Sequence, residues 1–140
     1  MKLHAIHGRN QYCGPAVIAG LTGLSTDESA RLIRAATGRA QIKSTTPLEV
    51  IDTLRSLSFW VERYKIYPRD ASAPLLEVWL EEHSSPWTGT WLIATSKHWQ
   101  IVSGDVLVCS KNKEPSKWRD LKKKWLREPV RMTWAIGSRG

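Results

Sequence analysis

An α+β domain is the fold class this sequence predicts. Segments with helical punctuation fill the first half of the chain, and short β-type runs separated by turn residues fill most of the second. That segregated order favours helices packed on an antiparallel sheet over an alternating α/β arrangement. The 140 residues suit one domain, 1–140, whose core is large enough to be stable without disulfides or metals.

The elements follow in chain order. "AVIAGLTG" (16–23) reads as a short helix, with Pro15 at an early helical position and Gly23 as its stop. "STDESARLIRAATG" (25–38) is a second helix: Ser25 or Thr26 caps it, acids fill its first turn, and Gly38 ends it. "TTPLEVIDTLRSLSF" (45–59) carries the clearest helix start, with Thr46 as cap, Pro47 first and Glu49 completing a capping box. "FWVERYKIY" (59–67) alternates like a strand. "SAPLLEVWLEEH" (72–83) predicts a helix opened by Ser72 or Ala73 and Pro74. Three strands are then expected, in "GTWLIATS" (89–96), "KHWQIVS" (97–103) and "VLVCS" (106–110). "SKWRDLKKKWLRE" (116–128) predicts a basic helix, and "VRMTWAI" (130–136) a closing strand.

Composition narrows the function classes. No run of about 18 apolar residues exists, so no membrane span is expected. The start lacks the long apolar region of a secretory signal, and two widely separated cysteines do not make a disulfide framework. A cytoplasmic location follows as the expectation. Net charge is +8, concentrated between Lys111 and Arg131, where only Glu114, Asp120 and Glu128 oppose it. Such a patch attracts acidic proteins or nucleic acid. Trp118 and Trp125, seven apart, would share one face of the expected basic helix. With Lys122, Lys123 and Lys124 they are the candidate partner-binding residues, although that face can equally dock on the sheet while the lysines meet water. Trp60, Trp79, Trp91 and Trp134 sit in periodic segments and read as core. Trp87 and Trp99 read as partner or cleft surface.

Chemistry centres on Cys13, in "NQYCGPAVIAGLTG" (10–23). A helix start stabilises a thiolate with free N–H groups and the positive end of the helix dipole, and an imidazolium does so further. Gly14 removes a side chain that would crowd a substrate, and Pro15 stiffens the entry. Of the four histidines, His98 opens "HWQIVSGDVLVCS", a strand, turn and strand, and so stands on the most rigid platform. His4, His7 and His83 read as surface or cap residues. Cys109, on an apolar strand, reads as a small buried hydrophobe. No CxxC or HxxxH spacing supports a metal site, and no cofactor is expected.

"CGPAVIAGLTG" followed by "HWQIVSGDVLV" resembles the papain-like fold, and more narrowly the small C39-like cysteine peptidases and papain-like proteins of phage genomes. The resemblance covers the whole chain in order. It implies a Cys13–His98 dyad, an oxyanion-stabilising side chain upstream of the cysteine, and an Asp or Asn after the histidine that orients its ring. Gln11 or Asn10 is the oxyanion candidate, although the family's glutamine usually lies further upstream, where this chain has His7. For the orienter, strand register matters. A two-residue turn at Gly104-Asp105 pairs Gln100 with Cys109, whereas a three-residue loop sets Ser110 opposite His98. The candidates in order are Asn112, Ser110, Cys109 and Asp105, the last in a segment that reads as a turn.

Three functions stay in competition. The first is a cysteine hydrolase cutting a peptide or isopeptide bond, phage-encoded if the narrower resemblance holds, acting on a protein or peptide. The second is a catalytically degenerate scaffold that binds an acidic protein through its basic C-terminal region. The third is direct nucleic-acid binding, resting on charge alone.

Overall fold

The computed structural model describes residues 1–41, 45–84 and 89–138. Among the described residues there are four helices and a six-stranded sheet: α1 (Cys13–Thr22), α2 (Thr26–Thr37), α3 (Pro47–Ser56), β1 (Phe59–Ile66), α4 (Leu76–His83), β2 (Thr90–Thr95), β3 (Trp99–Ser103), β4 (Val106–Cys109), β5 (Asn112–Lys117) and β6 (Val130–Ser138). The strand order is β1-β6-β2-β3-β4-β5, and every pairing is antiparallel. The domain is therefore α+β.

Local chemistry sets the helix ends. The Ser25 hydroxyl accepts from Glu28 N–H, and Gly38 closes α2. Thr46 and Glu49 form the reciprocal capping box of α3, with Pro47 behind the cap. Helix α4 begins at Leu76, with Leu75 in the cap position, so the opening is slightly later than Ser72–Pro74 suggested. No side chain of Tyr12 caps α1.

The strands alternate between two apolar layers. Leu92, Ala94, Ile101 and Val108 face α1, α2 and α3. Ile93, Val102, Leu107 and Cys109 face α4 and the segment after β5. A sheet buried on both faces explains why "WLIAT" and "VLVC" are almost continuously apolar. Helix α1 lies across β3 and β4 and is buried from Gly14 to Leu21.

One element departs from expectation. Residues 116–128 do not form a helix. Strand β5 runs to Lys117, and two single 3₁₀ turns follow at Trp118–Asp120 and Lys124–Arg127. The tryptophans are the reason. Trp118 is buried with its indole N–H 2.6 Å from Ser84 Oγ, and Trp125 is buried edge-on against His98. Each ring is anchored to a different neighbour, and a regular helix would have set them on one face. They are therefore core residues rather than an exposed partner surface, while Lys122, Lys123 and Lys124 are exposed. Among the other tryptophans, Trp79 and Trp134 are buried and Trp91 is half-buried. Trp60 is 37% exposed instead of core, its indole lying over Gly137, its register partner. Trp87 lies outside the described residues.

Candidate active site

The loop into α1 is fixed from below. The Asp27 carboxylate accepts from the backbone N–H of Arg9 and of Asn10, and Asn10 Oδ1 accepts from Tyr12 N–H at 3.0 Å. Cys13 is thus delivered to the first position of α1, half-buried. The N–H groups of a first turn have no intrahelical acceptor, and Tyr12 supplies no capping side chain. Gly14 has a steric reason: a Cβ there would overlap Thr45 Oγ1, so only glycine lets Thr45 close over the start of the helix.

His98 precedes β3, where the β2–β3 turn brings Thr95 N–H to the His98 carbonyl at 2.9 Å. Cys13 and His98 wall one cleft of about 270 Å3, together with Tyr12, Thr45, Lys97 and Trp99. The Cys13 sulfur stands 3.8 Å from Ser110 Oγ, in the turn between β4 and β5.

The ring of His98 is almost wholly buried, and its Nδ1 lies 3.0 Å from Glu128 Oε1. An ionised carboxylate only accepts, so the ring hydrogen belongs on Nδ1 and the lone pair on Nε2. The Thr95 hydroxyl lies 2.7 Å from the same carboxylate oxygen and 2.9 Å from the His98 carbonyl, tying both residues to the end of β2. Trp125 packs edge-on against the ring, with centroids 5.1 Å apart. Nε2 is buried without a hydrogen-bond partner among the described residues, as is Thr45 Oγ1. Burial pulls the His98 pKa below its ordinary value, and the nearby Lys111 cation adds to this. The Glu128 charge and hydrogen bond oppose it without reversing the direction. The ring is therefore neutral near neutral pH.

The other expected residues lie as follows. The hairpin has the two-residue turn: Gln100 pairs with Cys109 and Ser103 with Val106. Gly104 there takes φ 59°, the left-handed first position such a turn demands. Cys109 is buried, and burial pushes its thiol up to about 11, so it stays protonated. Asn112 does not meet His98: its amide donates to Glu114 O at 3.0 Å, within its own hairpin. The position at Nδ1 that sequence reasoning gave first to Asn112 is occupied by Glu128. A signal for Glu128 existed. It directly precedes Pro129, a context that disfavours helix, and it is one of few acids in a basic stretch. Gln11 is exposed, Asn10 is half-buried, and neither walls the cleft. His83 stacks on Trp79 with its Nδ1 3.0 Å from the Trp79 carbonyl oxygen. Among the described residues, no group of three or more His, Cys, Asp or Glu side chains is placed to hold a metal, and no helix is long and apolar enough to cross a membrane.

No family profile matches the chain, and no curated protein does. Among solved structures it is similar to the peptidase domain of Streptococcus ComA, a bi-functional ABC transporter involved in a quorum-sensing pathway. The TM-score is 0.57 at 15% identity, over 99% of this chain and 100% of that one. A likeness at this identity is one of fold.

Proposed function

We propose that this protein is a papain-like cysteine hydrolase that cleaves a peptide or isopeptide bond, with Cys13 as nucleophile, His98 as general base and acid, and Glu128 orienting the imidazole. The observation that carries the reading is His98, which walls the same cleft as Cys13 and has a buried Nε2 with no hydrogen-bond partner among the described residues, while the far side of its ring is held by a carboxylate. A histidine retained for packing alone would leave an orphaned nitrogen at a cost of about 1–3 kcal/mol. The fold likeness to a peptidase domain supports peptide-bond chemistry.

The steps follow from that arrangement. Nε2 takes the Cys13 proton, and the sulfur attacks the substrate carbonyl carbon. The oxyanion forms at the start of α1, where the Cys13 N–H has no intrahelical acceptor. The imidazolium returns its proton to the leaving nitrogen, and the C–N bond breaks to leave a thioester. Nε2 then takes a proton from water, whose oxygen displaces the sulfur and releases the acid product. Throughout, Glu128 keeps the ring hydrogen on Nδ1 and stabilises the transient imidazolium.

Thiol reactivity tests this without a known substrate. Cys13 should react with iodoacetamide near neutral pH faster than a free cysteine, and His98→Ala should slow it about ten-fold or more. Mass spectrometry of a digested peptide library should show cleavage that Cys13→Ser abolishes. Ordinary reactivity, indifferent to His98, would remove the hydrolase reading.

A further inference from the structure

The cleft does not end at His98. A hollow of about 460 Å3 shares Ser96 and Lys97 with it and is walled further by Lys111, Lys124 and Arg127. A third, of about 550 Å3, shares Lys124 and Arg127 with the second and continues past Lys122 and Lys123. The three hollows thus adjoin through shared residues, and we treat them as one trough with Cys13 at one end, Trp125 in the middle hollow and Trp118 at the other end.

Its charge is predominantly positive, and its lysines are not spent internally. Lys97, Lys111, Lys122, Lys123 and Lys124 are exposed and make no ion pair among the described residues. The two acids that line these hollows are engaged. Glu128 holds His98 and Thr95, and Glu77 stands 4.0 Å from Arg127. Cations left uncompensated along a concave wall raise the local concentration of anions and steer them in.

We propose that the substrate is an acidic peptide, whose Asp or Glu residues on one side of the scissile bond lie in this lysine-lined trough. The proposal rests on the hydrolase reading for the word substrate. The trough has features that favour a peptide over a nucleic acid. Leu121 and Leu126 give the far hollow an aliphatic wall suited to side chains. Trp118 and Trp125, which border the two basic hollows, are buried and anchored edgewise or by hydrogen bond, so neither offers bases a stacking platform. The near end meets the thiol that attacks a carbonyl.

Fluorescence anisotropy on the full chain tests this, using three fluorescein-labelled peptides of equal length built from Glu-Ala, Gln-Ala or Lys-Ala repeats, and an oligothymidylate. The Glu-Ala peptide should bind about ten-fold or more tightly than Gln-Ala at about 50 mM salt, with the advantage shrinking several-fold at about 200 mM. It should also slow iodoacetamide alkylation of Cys13, since it lies in the cleft. The triple variant Lys122→Glu, Lys123→Glu, Lys124→Glu should erase the preference. Lys122→Gln, Lys123→Gln, Lys124→Gln, with circular dichroism for folding, should fall between. Equal binding of Glu-Ala and Gln-Ala peptides would overturn the proposal. So would a preference that survives charge reversal, or an oligothymidylate that binds as tightly and protects Cys13 as well. The two readings fail separately. Slow, His98-independent alkylation beside an intact Glu-Ala preference sinks the hydrolase and leaves an acidic-peptide trough. Fast alkylation with no Glu-Ala preference does the reverse.

Discussion

Replacing Glu128 by glutamine removes one negative charge from beside His98 while keeping the outline of the side chain. The amide oxygen introduced by Glu128→Gln can still accept from Nδ1 and from the Thr95 hydroxyl, now 3.0 and 2.7 Å from the carboxylate oxygen, so the change is mainly electrostatic. Both side chains are well enclosed, at 1% and 12% exposure, so little of the interaction is screened by water. A hydrogen bond to a charged group is worth about 1.5–3 kcal/mol and a neutral one about 1. The difference, roughly 0.5–2 kcal/mol, corresponds to about one pKa unit, at about 1.4 kcal/mol per unit. Its sign is fixed: Glu128 raises the His98 pKa, so its loss lowers a value that burial has already depressed. NMR titration of the His98 ring should show that further drop, and Cys13 alkylation should slow about ten-fold because the imidazolium partner is less stable. Asn112→Ala serves as the control and should leave both unchanged. A His98 pKa that stays put or rises in Glu128→Gln, or that falls in Asn112→Ala, would refute the assignment of Glu128 as the orienting group.

Other expectations follow from the same geometry. Native protein should take up one equivalent of iodoacetamide near neutral pH and a second only in denaturant, because the Cys109 thiol is buried and held up to about 11; mass spectrometry counts the adducts. Gly14→Ala should cost about 1–3 kcal/mol in a urea melt and blunt Cys13 reactivity, because the new Cβ must displace Thr45 from the cleft wall. Because His98 has a depressed folded pKa, the unfolded chain binds its proton first as pH falls. That part of the stability is therefore fully present above about 6.5 and is lost as pH drops through the lower folded value. Urea midpoints measured across this window should fall less in His98→Ala, which lacks the titrating ring, than in the parent.

By itself the sequence determined the elements whose causes lie within a few residues. Ser25, Thr46 with Glu49, and the closing Gly38 act over three or four positions, so the bounds of α2 and the start of α3 could be read directly. Gly104-Asp105 could be read as a turn, and the apolar runs around it as strands. The placement of Cys13 at a helix start and of His98 just before a strand was legible for the same reason. The basic segment was not. Its heptad-spaced tryptophans and lysines suit a helix in isolation. The structure instead buries Trp118 against Ser84 and Trp125 against His98, contacts 34 residues away in one case and 27 in the other, and the chain between them adapts as 3₁₀ turns. Glu128 was hidden by the same non-locality. It reaches His98 across 30 residues because β6 inserts between β1 and β2, bringing its approach beside the end of β2. No local pattern encodes that insertion. Strand order is chosen by burying both faces of the sheet at once, a property of the whole chain, and that choice decides which carboxylate meets the imidazole.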